Sequence, residues 1–251
     1  MDLFHVVSQV EQRLRRQAQL RGGRLPVPTA ASLARLVQTL EGLAGAGALE
    51  LEDVAVQIRA CRACGLARLR RNVVVGEGDP RAELVFVGEA PGEEEDLQGR
   101  PFVGPAGKLL DRIIESMGFT RQEVFIANVL KCRPPANRIP RPDEVEACVP
   151  FLMRQLKAIN PRVICALGAV AAKALLGTAG GGITTLRGKW QRWGTVPVMP
   201  TYHPSYLLRN PDRKREVWED MKEILRSLGR RVPKARRSGR STAEEGERHG
   251  G

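Results

Sequence analysis

The spacing of hydrophobic residues changes twice along this chain. Over residues 2–20 the apolar positions Leu3, Val6, Val7, Val10 and Leu14 recur at helical intervals, which puts them on one face of a helix. RGGRLPVPTAAS interrupts that pattern with Gly and Pro, as linkers do. A second stripe, Leu33, Leu36, Val37, Leu40 and Leu43, occupies about 30–46. From residue 54 the pattern shifts. AELVFVG (82–88), EVFIANVL (123–130) and PRVICALG (161–168) are short apolar runs rich in β-formers, as expected of strands buried on both faces. Amphipathic stretches separate and follow them: GKLLDRIIESMG, RPDEVEACVPFLMRQLKAIN and PDRKREVWEDMKEILRSLG. The second has Pro142 and acids in its first turn, the signature of a helix start. TLRGKWQRW and VPVMPTYHP supply a fourth strand region. After Gly229 apolar residues nearly vanish, so the end of the chain reads as a disordered basic tail.

Strands alternating with helices of this length predict an α/β fold, a three-layer α/β/α sandwich around a mostly parallel four-stranded sheet, with an added N-terminal helical segment. The expected organisation is a helical extension and linker over 1–53, the α/β domain over 54–229, and the tail over 230–251. Ligands of such sheets bind beyond the carboxyl ends of the strands. There the chain places Gly88–Gly92, Asn128–Arg138 and Thr201–Arg209.

Charge narrows the class of partner. Lys and Arg number 40 against 28 Asp and Glu, a net charge of +12. From Gly229 onward seven Arg and Lys face three Glu, so most of the excess belongs to the body of the chain. A polyanion, most simply nucleic acid, is the expected partner. The N-terminus has neither the charged nor the apolar region of a signal peptide, and no apolar run reaches membrane-spanning length. A cytoplasmic protein without membrane contact is expected, with a monomer as the default.

Five cysteines occur in a chain without an export signal, where metal binding or catalysis is commoner than disulfide pairing. Cys61 and Cys64 form a C-x-x-C hook, and Cys132 and Cys148 follow on separate elements. Four thiolates from three places can close a site for zinc or for an iron–sulfur cluster. Cys165, inside VICALG, reads as a small core residue.

Several polar or aromatic residues sit where packing alone does not explain them. GEAPGEEED follows the first strand directly; it reads either as a turn into a helix whose acids complement the dipole, or as a loop whose small residues admit a flat ligand. His203 stands in TYHPS at a strand's carboxyl end, held by Pro204, while His5 and His249 are peripheral. Asn128 comes late in an apolar strand, where an amide needs partners or a ligand. Phe102 lies among glycines and prolines and serves either as core or as a stacking platform.

GEAPGEEEDLQGRPFVGPAGKLLDR, NVLKCRPPANR and HPSYLLR, with four cysteines at these spacings, closely resemble the family 4 uracil-DNA glycosylases, bacterial and archaeal enzymes with a 4Fe–4S cluster. The resemblance spans about 54–228. It implies that the protein flips uracil out of single- or double-stranded DNA and hydrolyses its N-glycosidic bond, leaving an abasic site. Phe102 then stacks on the base and Asn128 reads its edge, donating to O4 and accepting from N3–H. His203 hydrogen-bonds O2 as the base departs, and Gly88, Glu89 and Ala90 contact the base or the attacking water. Ala90 stands where glycosylases of another family carry a water-orienting Asp. Glu95 resembles the residue that closes the pocket against the methyl of thymine, leaving Glu93, Glu94 and Asp96 as a solvated helix start. Leu207, Leu208 and Arg209 are the candidate wedge, and Lys131, Arg133, Arg138 and Arg209 the candidate phosphate contacts. Cys61, Cys64, Cys132 and Cys148 are the implied cluster ligands. A covalent-binding relative uses a His in the loop matching PPANRIPRP, which has none here, so turnover is expected. The runner-up is a glycosylase-fold iron–sulfur DNA-binding protein of weak or altered base specificity.

Overall fold

The computed structural model describes residues 50–177 and 181–233. The two N-terminal helices and most of the basic tail read from the sequence lie outside those residues.

Six strands form one sheet in the order β1-β3-β2-β4-β6-β5. The central four, β2 (Leu84–Gly88), β3 (Phe125–Asn128), β4 (Val163–Leu167) and β6 (Val196–Thr201), are parallel. These are the four expected strands. Two short edge strands join them, β1 (Glu77–Gly78) and β5 (Gln191–Trp193), antiparallel to β3 and β6. The expected sheet is therefore widened at both edges. β1 is too short to show any period, and the fourth strand region is two strands, because Gly194, at φ +57°, reverses the chain between β5 and β6.

Side chains alternate across the sheet as the pleat requires. Leu84, Phe86, Val163, Cys165 and Met199 enter one apolar layer with helices α3 (Pro105–Ser116) and α8 (Lys214–Ser227). Val85, Val87, Ile164, Ala166 and Val198 enter the other with α4 (Pro142–Ile159) and α5 (Ala169–Leu176). Both faces are covered, so the strands read as continuous apolar runs. A helix over 50–60 (α1) adds Val54 and Ile58 to the buried set. No helix among the described residues is long and apolar enough to cross a membrane.

From β2 the chain goes to β3 on one side and then crosses to β4 on the other. The carboxyl end of β2 is thus a topological switch point, where open α/β sheets hold ligands. β2 continues into α2 (Glu93–Gln98), a short α6 (Ile183–Leu186) precedes β5, and β6 continues into α7 (Pro204–Arg209).

Candidate active site

A cleft of about 450 Å³ opens at the carboxyl ends of β2, β3 and β6. Glu89, Ala90, Phe102, Asn128, Arg138 and His203 all line it. The sheet therefore brings together most of the residues singled out in the sequence, from positions more than a hundred residues apart.

Gly88, Asn128 and Phe102 form the floor. Gly88 pairs with Asn128 across β2 and β3. A Cβ on Gly88 would overlap both Asn128 Oδ1 and the Phe102 ring, so glycine is required by close approach. Asn128 is buried, and its Oδ1 is the one buried side-chain nitrogen or oxygen without a hydrogen-bond partner among the described residues. An unpaired buried acceptor costs about 1–3 kcal/mol, a cost recovered when a ligand supplies a donor.

Phe102 has φ +51°, a strained backbone for a residue with a side chain. It is held there from two sides. Glu95 Oε1 accepts the amides of Val103 at 2.8 Å and Gly104 at 2.9 Å, while its Oε2 accepts that of Gly92 at 3.0 Å. Arg121 donates to the carbonyls of Phe102, at 3.3 Å, and Pro101. Arg121 is oriented in turn by Glu77 and Asp111, at 3.0 and 2.7 Å. Gly107 completes the clamp, since any Cβ there would overlap the Phe102 carbonyl. The ring centroids of Phe102 and His203 lie 5.6 Å apart.

His203 caps α7. Its Nδ1 accepts the backbone N–H of Ser205 at 3.1 Å, with the Ser205 hydroxyl at 2.8 Å. An amide can only donate, so Nδ1 is unprotonated and the neutral ring carries its proton on Nε2. Burial pulls the imidazole down to about 4, reinforced by Arg209 and opposed by Glu95. The ring is neutral near pH 7 and presents Nε2–H as a donor.

The acid run divides. Glu93 and Glu94 are exposed, as expected of a helix start. Asp96 corrects the expectation: it is buried, and its carboxylate accepts the amides of Arg71 at 3.0 Å and Asn72 at 3.3 Å. That bond ties the segment after the C-x-x-C hook to α2. Glu89 lines the cleft half-buried, and desolvation raises its carboxyl above the ordinary range. Ala90 brings no carboxylate.

The basic residues also divide. Lys131 is only 2% exposed, with Nζ bonded to the Asn128 carbonyl at 2.8 Å and to Gln155 Oε1 at 2.6 Å. It cannot reach a phosphate, which corrects the sequence expectation. Arg138 forms a two-pronged pair with the fully buried Glu144, at 2.6 and 2.8 Å, and this pair draws the Glu144 carboxyl down to about 2. Arg133 bonds Asn137 Oδ1 at 2.8 Å and pairs with Glu93 at 3.4 Å. Arg209 is exposed. Of the wedge candidates, Leu207 is 0% exposed and belongs to the core, whereas Leu208 is 43% exposed.

Cys61, Cys64, Cys132 and Cys148 line one small pocket with apolar walls from Ile58, Phe151 and neighbouring alanines. None of the four is paired in a disulfide. Arg70 Nη1 donates to Cys132 Sγ at 3.0 Å, and Nη2 of the same guanidinium donates to the carbonyl of Cys61 at 3.2 Å. The Lys131 amide donates to Cys148 Sγ at 3.3 Å. Burial pushes the Cys148 thiol up to about 11, so an anionic sulfur there needs compensating positive charge. No three His, Cys, Asp or Glu among the described residues converge as a single-ion site. Cys165 is fully buried in the core as expected.

Arg121, Arg70, Gln155 and Ser205 escaped the sequence reading. Only Ser205, inside HPSYLLR, lay within a resembling motif. The others act from outside the motifs, and nothing short of the tertiary structure links them to the site.

Residues 75–222 match the family model of the uracil DNA glycosylase superfamily. A type-4 uracil-DNA glycosylase of Thermotoga maritima is 49% identical over 176 residues, covering 69% of this chain and 92% of the relative. That of Archaeoglobus fulgidus is 46% identical over 190 residues, 73% of this chain and 96% of the relative. That of Sulfurisphaera tokodaii is 47% identical over 182 residues, with 69% and 83% covered.

Proposed function

Because the chain belongs to the uracil-DNA glycosylase superfamily, on its type-4 branch, and excises uracil from DNA as a repair hydrolase of N-glycosyl bonds, we propose how its residues divide that work. The unpaired Asn128 Oδ1 carries the reading. Uracil N3–H fills that acceptor, and the Asn128 amide donates to O4. Cytosine presents an acceptor at N3 and a donor at its exocyclic amine, which would leave both groups buried and opposed. Mismatches of that kind discriminate by about 10⁴.

The extruded base enters the cleft and stacks on Phe102, whose clamped loop holds the ring in place before the base arrives. As the glycosidic bond breaks, negative charge grows on uracil and positive charge on the sugar. Nε2–H of neutral His203 donates to O2, an interaction stronger in the transition state than in the ground state. With Ala90 carrying no base, the attacking water is held by the turn at 88–90 and the Glu89 carboxylate. The oxocarbenium-like sugar is electrophilic enough to need little further activation.

Glu95 shapes the pocket against the thymine methyl through the loop it holds, since its carboxylate is bonded to Gly92, Val103 and Gly104. Leu208 fills the gap left by the base, and Arg133 and Arg209 contact phosphates, joined by the exposed edge of Arg138. Cys61, Cys64, Cys132 and Cys148 hold a 4Fe–4S cluster. Support comes from their shared pocket and from the donors aimed at Cys132 and Cys148. When bound, the group cross-links the C-x-x-C hook, the segment after β3 and α4.

Single-turnover excision from oligonucleotides with one uracil, in U:G, U:A and single strands with a T:G control, tests the reading. Alkaline cleavage at uracil alone is expected. Cleavage at T:G or at cytosine would overturn the assignment of Asn128 and the pocket wall.

A further inference from the structure

Lys131 presents a buried ammonium that, among the described residues, has no carboxylate hydrogen-bond partner. Its Nζ bonds the Asn128 carbonyl and Gln155 Oε1, and Gln155 is itself fully buried, with Nε2 donating to the Val75 carbonyl at 2.9 Å. A buried cation without a counter-charge costs several kcal/mol. The same residue lines the cysteine pocket, donates its amide to Cys148 Sγ, and precedes Cys132 directly. An iron–sulfur cluster bound by four thiolates carries net negative charge, and that charge is the counterpart the ammonium lacks.

We propose that Lys131 is a positioning residue that couples the cysteine-bound cluster to uracil reading, its ammonium balanced by the cluster on one side and fixing the Asn128 backbone on the other. This rests on the iron–sulfur glycosylase reading above. The carbonyl it holds belongs to the residue whose side chain reads the base, the last of β3, which pairs with Gly88 and is followed by Val129, whose N–H donates to the Gly88 carbonyl at 3.0 Å. Val74 N donates to the Lys131 carbonyl at 2.8 Å, so the segment from Val74 to Val75 moves with it. Loss of the cluster removes the charge that keeps the ammonium buried, and the Asn128 carbonyl loses its side-chain partner while the pairing with Gly88 remains.

Lys131→Met keeps the length and removes the charge. In purified iron-loaded protein, a redox titration followed by electron paramagnetic resonance should show a lower reduction potential, because a nearby cation favours the electron-rich state. Uracil-over-cytosine discrimination should fall about tenfold or more, the usual effect of losing a partner just outside a ligand shell, mainly in the excision rate and little in DNA affinity. Unchanged potential and unchanged discrimination would overturn the proposal. If Lys131→Met fails to hold iron, Gln155→Leu decides, since it keeps the ammonium and removes one of its acceptors. Wild-type potential with weakened discrimination upholds the coupling, and wild-type discrimination sinks it. The potential is read whether or not uracil is excised. A wild-type protein inactive on uracil would thus count against the functional reading without touching this result.

Discussion

Ser205 donates its backbone N–H to Nδ1 of His203 at 3.1 Å, and this one bond sets the protonation pattern of the active-site imidazole. With Nδ1 occupied by a donor that cannot reverse, the ring proton sits on Nε2 and remains there as long as the ring is neutral. Since burial holds the imidazole at about 4, excision should not titrate with His203 between about pH 5 and 8. His203→Ala should slow single-turnover excision by about 10²–10³ with DNA affinity nearly unchanged. Loss of binding with cleavage intact per bound complex would refute the role.

The same depressed value makes a stability prediction. The ordinary imidazole value is 6.5, against about 4 in the folded protein. Between those values the unfolded chain takes up a proton that the folded chain refuses, so stability falls as pH drops through that window. Above 6.5 the group contributes no slope. His203→Ala should therefore show a shallower fall in melting temperature from pH 6.5 to 4.5 than the parent. Parallel melting curves across that range would mean that His203 is not held neutral.

Gly88→Ala tests the floor of the cleft. The added methyl overlaps Asn128 Oδ1 and the Phe102 ring, so both cleft-lining side chains have to shift out of the positions from which they meet the base. Uracil excision should drop at least about a hundredfold, as expected when the reacting geometry shifts by about an ångström. Overpacking should also cost about 1–3 kcal/mol of stability. Excision kinetics and denaturant melts on the same preparation separate the two effects. A variant with parental kinetics would show that the base does not lie over Gly88.

Leu207 and Leu208 are neighbours in one motif with opposite fates. Leu207→Ala should cost about 2–5 kcal/mol of stability, as large-to-small core changes do. Leu208→Ala should leave the melt unchanged and slow excision from duplex DNA more than from single strands, where no gap needs filling. If Leu208→Ala slowed both substrates equally, the wedge would have to be placed elsewhere.

How much of this was legible in the sequence follows from what burial on two faces does to a chain. β2 and β4 are apolar throughout and β3 is apolar up to Asn128, so these strands announce themselves, and the residues ending them point to the cleft. Edge strands of two or three residues carry no period, which hid β1 and β5. A lysine between a strand end and Cys132-Arg133 looks like surface charge, and its burial depends on Gln155, which arrives on α4. Asp96 looks solvated within an acid run, but the amides of Arg71 and Asn72, distant in sequence, reach its carboxylate. The choice between Leu207 and Leu208 required the phase of a six-residue helix, too short to read from pattern alone.

Arg121 tests whether the Phe102 loop is clamped or merely packed. Its guanidinium serves Glu77, Asp111 and the carbonyls of Pro101 and Phe102 at once. A planar fork with five donors can do this, and a lysine ammonium, compact and with three, cannot span the same set. Arg121→Lys should therefore behave almost as Arg121→Gln. Both should release Phe102 from its strained φ, slow uracil excision by about tenfold or more, and raise amide exchange at Val103 and Gly104, while Glu95 still holds α2. Exchange followed by mass spectrometry reads the loop directly. If Arg121→Lys kept the parental rate and protection, charge alone would hold the loop, and the two-sided clamp on Phe102 would be wrong.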